Sequence, residues 1–144
     1  MAQILVIAAH PQQEHSRATP SLMEPAARLD PARRAARDLY ALYPDYFIDV
    51  TAEQALRTQA QLLVWLHPAH WYSMPPLLKL RLDEVFAFGW ACGPGRCALA
   101  GESRWLAAST GGPQEPYRPG EDNRCSFDAF LHPCEQTTAL FGMT

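Results

Sequence analysis

The sequence is short of positive charge, and of lysine above all. Of its twelve basic residues only Lys79 is a lysine, fifteen acidic residues outnumber them, and the formal net charge is -3 with a pI near 5.9. No basic face is expected, which excludes nucleic acid as a partner. No apolar run approaches the roughly 20 residues that a membrane span needs. The amino terminus runs straight into Ile4-Leu5-Val6-Ile7 without the charged leader of a signal peptide, so a cytoplasmic protein is expected. The four cysteines, Cys92, Cys97, Cys125 and Cys134, form no C-x-x-C pair and no zinc-finger spacing with histidine. They read as free thiols of a reducing compartment. His67 and His70 are three apart, but Pro68 bars a regular helix between them, so no metal site is expected. No G-x-S-x-G elbow is present, which argues against a serine hydrolase. There is no internal repeat and no linker.

What is present is a globular composition: 144 residues, 48% hydrophobic and 19% charged. The reading is a single α/β domain over residues 1–144. Such a length can bury a core without staples. Ile4 to Ala9 is a continuous apolar run that reads as a central parallel strand buried on both faces, and Leu62 to Leu66 reads the same way. Trp105 to Ala108 is a further strand. The second strand of the sheet is expected around Ala36 to Tyr40, although Ala and Arg there also favour helix. Ser16 is placed to cap a helix starting near Arg17, which Pro25 should kink or end. Thr51 to Gln54 fits a capping box for a helix through Ala60. Pro76 opens a helix that buries Leu78, Leu82, Val85 and Phe86 on one face and stops at Gly89. Gly93 to Gly95 is loop. Ser126 is expected to cap a last helix carrying Phe127, Phe130 and Leu131, kinked at Pro133.

In an open parallel sheet, ligands bind at the carboxyl ends of the strands. The strand-to-loop transitions at His10, His67 and Ser109 should therefore share one edge and form one crevice. The loop from His10 to Arg17 ends at a helix amino terminus, where Ser16, free N–H groups and the Arg17 guanidinium suit a phosphate. Glu14 fits that reading only if it points away. The loop from His67 to Lys79 carries Trp71 and Tyr72, which offer flat apolar faces with polar edges to a planar heterocycle, or else only cover the end of the sheet. The loop Ser109-Thr110-Gly111-Gly112-Pro113 lets backbone approach a ligand closely, because glycine lacks Cβ.

The stretch HPAHWYSMPPLLKLRLDEVFAFGWACG, residues 67–93, resembles the P-x-x-W-Y-S-x-P-x-x-L-K-x-x-x-D-x-V-x-x-x-G-x-x-Y-G signature of the NAD(P)H:quinone oxidoreductase family. DLYALYPDYFIDV, STGGPQEPYRPGEDNR and LHPCEQTTALFGM are similar to the same family, closest to the ancillary subunits of bacterial glutathione-regulated potassium-efflux systems. The resemblance covers nearly the whole chain. It implies a flavodoxin-like, doubly wound parallel sheet lacking the family's last strand and helix. It also implies FMN or FAD as cofactor, NAD(P)H as co-substrate, a quinone as acceptor, two-electron hydride transfer, and a homodimer. A potassium-efflux transporter is the implied partner, with a peripheral position on the cytoplasmic face of the inner membrane. A non-catalytic regulatory subunit, and a shortened copy that no longer holds flavin, are the alternatives.

Carried over position by position, the resemblance places Ser16, Arg17 and Ala18 on the flavin phosphate, with His10 at its entrance. It places Pro68, Ala69, His70, Trp71 and Tyr72 along the isoalloxazine. Ser109, Gly111 and Gly112 fall on the pyrimidine side, and Tyr117 matches the aromatic that covers the flavin and, in some members, assists proton transfer. The chain departs from the pattern at Thr19 and Pro20, which weakens the phosphate loop, and at Cys92, where the signature has tyrosine. Glu121 and Asp122 stand near the place of a histidine used by some relatives.

Overall fold

The computed structural model describes residues 3–94 and 98–144. Gly95 of the expected loop and Cys97 of the expected thiols lie outside the described residues. Four strands, β1 (Ile4–Ala8), β2 (Arg34–Asp38), β3 (Leu62–Pro68) and β4 (Ser103–Ser109), form one sheet in the order β2-β1-β3-β4 with every pairing parallel. This is the first four positions of a flavodoxin-like sheet. Among the described residues, five α-helices accompany it: α1 (Ala18–Ala27), α2 (Leu39–Leu42), α3 (Val50–Arg57), α4 (Pro76–Val85) and α5 (His132–Leu140).

Alternation along the strands divides the side chains between the two faces. Leu5, Ile7, Leu63 and Trp65 point into the main core, where Leu77, Leu78, Leu82 and Val85 of α4 and Cys134 of α5 meet them. The expected buried face of the Pro76 helix is observed, with Leu78, Leu82, Val85 and Phe86 all buried. On the opposite face, Ile4, Val6, Val64, Leu66, Trp105 and Ala107 line an apolar groove of about 320 Å³ beside Leu22 and Pro25 of α1 and Leu29 just beyond it. At the outer edge of β4, the Thr144 N–H donates to the Glu102 carbonyl at 2.9 Å, and the Arg104 N–H donates to the Thr144 carbonyl at 2.8 Å. That is the parallel-ladder pattern.

Several boundaries differ from the sequence reading. The second strand is Arg34–Asp38, so Tyr40 belongs to α2. A polar strand forms there because β1 supplies its backbone partners and its arginines find acceptors. Arg34 donates to the Leu29 and Ala27 carbonyls beyond and at the end of α1, and Arg37 reaches Glu53. Pro25 does not end α1 at once; it lies in the last turn, where the bond to Ser21 is lost, and the helix ends two residues later at Ala27. The cap of α3 is Asp49, whose Oδ1 accepts the Ala52 N–H at 2.9 Å, and not Thr51. The last segment divides into a 3-10 turn at Phe127–Phe130 and α5, which ends at Leu140. Pro133 sits in the first turn of α5, where its missing donor has no intrahelical acceptor in any case, so it starts the helix and does not kink it.

Candidate functional site

The loops after β1, β3 and β4 converge on one cavity of about 650 Å³. The first contributes His10, Ser16, Arg17 and Ala18, the second Pro68, Ala69, His70 and Trp71, and the third Ser109, Thr110 and Gly111. The sheet itself ties the loops together: the Ala9 N–H donates to the Leu66 carbonyl at 2.9 Å, and the Ala69 N–H to the Ser109 carbonyl at 2.7 Å.

At the phosphate end, Ser16 caps α1 as expected. Its Oγ accepts the Thr19 N–H at 3.0 Å and donates to the Thr19 hydroxyl at 3.0 Å. Thr19 is buried, so the departure at this position stabilises the turn. The first-turn N–H groups of a helix have no intrahelical acceptors, and the helix dipole favours an anion there. Among the described residues, Arg17 is the one formal cation lining the cavity, and no carboxylate lines it. Glu14 is exposed and outside the lining, which removes the objection it raised.

His10 and His70 face each other edge to face across the cleft, with ring centroids 5.9 Å apart. The His10 Nδ1 accepts the Gln12 N–H at 3.1 Å, which fixes its proton on Nε2 when the ring is neutral. Burial, followed by the nearby His70, pushes its pKa below the ordinary value. His67 lies beneath the loop, buried, its Nδ1 2.9 Å from the Pro68 carbonyl. Burial lowers its pKa as well. It does not line the cavity.

Trp71 and Tyr72 form a tight turn between His70 and Ser73, whose backbones exchange hydrogen bonds of 3.0 and 3.1 Å. Both central residues have positive φ, 47° for Trp71 and 67° for Tyr72. Turns of this hand favour Asn and Gly. Holding bulky side chains there costs roughly 1–3 kcal/mol each. The turn leaves Trp71 92% exposed at the cavity rim.

Three expected site residues lie outside the lining. Tyr72 points away, its ring on Phe130 with centroids 4.9 Å apart and its hydroxyl donating to Asn123 Oδ1 at 2.9 Å. Gly112 is drawn aside, its carbonyl accepting the Thr110 hydroxyl at 2.9 Å. Tyr117 packs edge to face on Phe127, centroids 5.4 Å apart, and on Phe130 at 6.2 Å. The site residue that the sequence reading passed over is Thr110. Its only signal was its position between Ser109 and Gly111. Among the described residues no group of three or more His, Cys, Asp or Glu side chains is arranged to hold a metal ion. Nor is any helix among them long and apolar enough to cross a membrane.

A family model described as a flavodoxin-like fold matches residues 2–144. The chain belongs to the flavodoxin-like fold family. This flavodoxin-like protein is 44% identical over 141 residues to the glutathione-regulated potassium-efflux system ancillary protein KefF of Salmonella arizonae, a match spanning 98% of this chain and 78% of that one. Among solved structures it is 39% identical to general stress protein 14 of Treponema denticola in complex with FMN, with a TM-score of 0.89 over 98% of this chain and 80% of that one. A structure named as a thermophilic tryptophan halogenase from Streptomycin violaceusniger is 38% identical, with a TM-score of 0.90 over 97% and 80% of the two chains. An NADPH-quinone reductase from P. pentosaceus is 25% identical, with a TM-score of 0.87 over 99% and 80%. The NAD(P)H:quinone oxidoreductase family indicated by the sequence motifs fits these relatives.

Proposed function

We propose that this protein is a flavin-dependent NAD(P)H:quinone oxidoreductase that takes FMN in the cavity between its three strand-end loops. The observation that carries the reading is the convergence of a cationic helix amino terminus, a flat aromatic turn and a glycine loop on one cavity of about 650 Å³. The residues fit the cofactor. Ser16, Arg17 and Ala18 would hold the phosphate by backbone N–H groups and one guanidinium. Pro68 to Trp71 would lie along the ring system, and Ser109 to Gly111 would offer backbone donors to its polar edge. Bound flavin supplies the two-electron redox chemistry. The protein's part is to position the rings, exclude water and stabilise charge at the pyrimidine edge. Tyr117, whose ring packs on Phe127 and Phe130 outside the lining, is the proposed proton donor.

As an ancillary subunit, the protein would work as a cytoplasmic homodimer, docked on a potassium-efflux transporter at the inner membrane and activating it. The name of the KefF relative supports that role. It is compatible with turnover and also with purely regulatory binding. The test is reconstitution. The purified chain, incubated with FMN and desalted, should stay yellow, and it should then oxidise NAD(P)H only when a quinone is added. Flavin retention without turnover would favour the regulatory reading, and failure to retain flavin would overturn the proposal.

A further inference from the structure

Trp71 forms part of the cavity wall, yet its own side chain has almost nothing to lean on. It is 92% exposed, and its backbone and that of Tyr72 are held in the left-handed region, which bulky L side chains seldom adopt. The two hydrogen bonds between His70 and Ser73 close the turn but do not choose its hand. Some contact outside the turn must hold it.

Among the described residues, the contacts that hold the two left-handed positions from outside the turn are those of Tyr72. Its hydroxyl donates to Asn123 Oδ1 at 2.9 Å, and its ring lies on Phe130 at 4.9 Å with 37° between the planes. Asn123 is itself fixed at both ends of its backbone. Its N–H donates to the Pro116 carbonyl at 3.2 Å, and its carbonyl accepts the Cys125 N–H at 2.8 Å. Phe130 belongs to the 3-10 turn ahead of α5 and is wedged against Tyr117. The turn is thus clasped from outside by a segment 51 residues further along the chain.

We infer that Tyr72 and Asn123 are positioning residues: by fixing the left-handed turn they set Trp71 as a wall against a planar ring system, and neither touches that ligand. The inference rests on the flavin reading for the identity of the ligand. It does not rest on that reading for the mechanics of the turn. Losing the hydroxyl–amide bond releases one anchor of a strained turn, so an ordinary hydrogen bond's contribution should appear as disorder at Trp71. About three- to tenfold in affinity is the expected scale.

The experiment uses the full chain and FMN as the probe. FMN affinity is measured by flavin fluorescence for Tyr72→Phe, Asn123→Leu, Asn123→Asp and the Tyr72→Phe/Asn123→Leu double variant, and for Tyr72→Phe within Trp71→Ala. In parallel, the ligand-free proteins are labelled with 5-fluorotryptophan and followed by fluorine NMR, the Trp71 line being assigned by its loss in Trp71→Phe. Tyr72→Phe and Asn123→Leu should each weaken FMN about three- to tenfold. The double variant should be no worse than the weaker single one, because the two share one bond. Asn123→Asp keeps the acceptor and should keep both the affinity and the Trp71 line. Within Trp71→Ala, Tyr72→Phe should have no further effect, and the Trp71 line should shift or broaden in both weakened variants. An equal loss from Tyr72→Phe in the Trp71→Ala background would mean that Tyr72 touches the ligand directly, which overturns the inference. So would a Trp71 line that neither variant moves. If wild-type protein fails to bind FMN, the flavin reading falls, and the fluorine spectra alone decide this one.

Discussion

Glu53 Oε2 accepts the Arg81 Nε–H at 2.8 Å, with neither side chain exposed. The other oxygen of the same carboxylate accepts from the Tyr43 hydroxyl at 2.8 Å and from Arg37 Nη2 at 2.9 Å. One carboxylate on α3 therefore ties in β2, α4 and the residue that ends α2. Removing its charge leaves Arg81 buried without a counter-charge. Glu53→Gln should cost about 3–5 kcal/mol, the usual scale for breaking a buried pair from one side. Urea unfolding followed by circular dichroism measures it, and a loss under about 1 kcal/mol would show that Arg81 finds another partner.

The same carboxylate sets a pH dependence. Burial alone would raise the Glu53 pKa, but Arg81, Tyr43 and Arg37 together outweigh it and hold the group below its ordinary value. A depressed carboxyl contributes stability that is present above its unfolded value of about 4.3 and is lost as pH falls through the folded value. Wild-type stability should therefore fall from about pH 5 downward. Glu53→Gln should show a flatter profile over that window. Parallel profiles for the two proteins would assign the acid sensitivity to other groups.

Much of this architecture was legible in the sequence because periodicity and burial agree in it. The apolar runs at Ile4 and Leu62 became β1 and β3, and the proline-opened helix buried the face its spacing marked. What was not legible depended on tertiary contacts. The second strand was expected around Ala36 to Tyr40 against the helical leaning of Ala and Arg, but its bounds, Arg34–Asp38, are set by β1 and Glu53. Asp49 outcompeted Thr51 as a cap by standing where the chain actually turned. At the site, spacing located the three loops but could not say which side of a turn each aromatic faces. Trp71 and Tyr72 are adjacent, and the left-handed turn sends one to the cavity and the other to Phe130.

Arg17 offers a clean test of the phosphate end. Among the described residues it is the one formal cation lining the cavity. Arg17→Ala should weaken FMN about tenfold or more, since hydrogen bonds to charged groups contribute about 1.5–3 kcal/mol. Riboflavin, which lacks the phosphate, should bind both proteins equally. Equal losses for the two ligands would move Arg17 from the phosphate to the ring.

Tyr117→Phe separates chemistry from packing. The ring packs edge to face on Phe127 and Phe130 with or without its hydroxyl, so the fold and flavin affinity should be unchanged. Turnover with a quinone should fall about ten- to a thousandfold if the hydroxyl is the proton donor. Steady-state rates across pH, beside flavin titrations, make the comparison. Unchanged turnover would leave Tyr117 a packing residue that holds Phe130 beneath Tyr72.

Trp105 stands on the outer strand, 67% exposed, on the face where the apolar groove runs beside α1. Thr144 pairs with the start of β4 at Glu102 and Arg104, and the parallel ladder it begins would next engage the outward backbone groups of Leu106 and Ala108. An edge strand that presents unpaired backbone together with a large apolar side chain is a template for another chain. The isolated 144-residue chain should therefore associate in a concentration-dependent way and bind a hydrophobic dye such as ANS in the groove. Trp105→Lys places a charge on that edge without touching the cavity lining, and charged edge residues oppose strand pairing. It should lower both the association seen by sedimentation velocity and the dye signal, while FMN affinity stays within about twofold, as expected for a substitution away from the site. Hydrogen exchange locates the contact: the amides of Leu106 and Ala108 should become protected as concentration rises in wild type and not in Trp105→Lys. If wild type sediments as one discrete species whose Leu106 and Ala108 amides exchange freely at every concentration, β4 is not the surface through which copies meet.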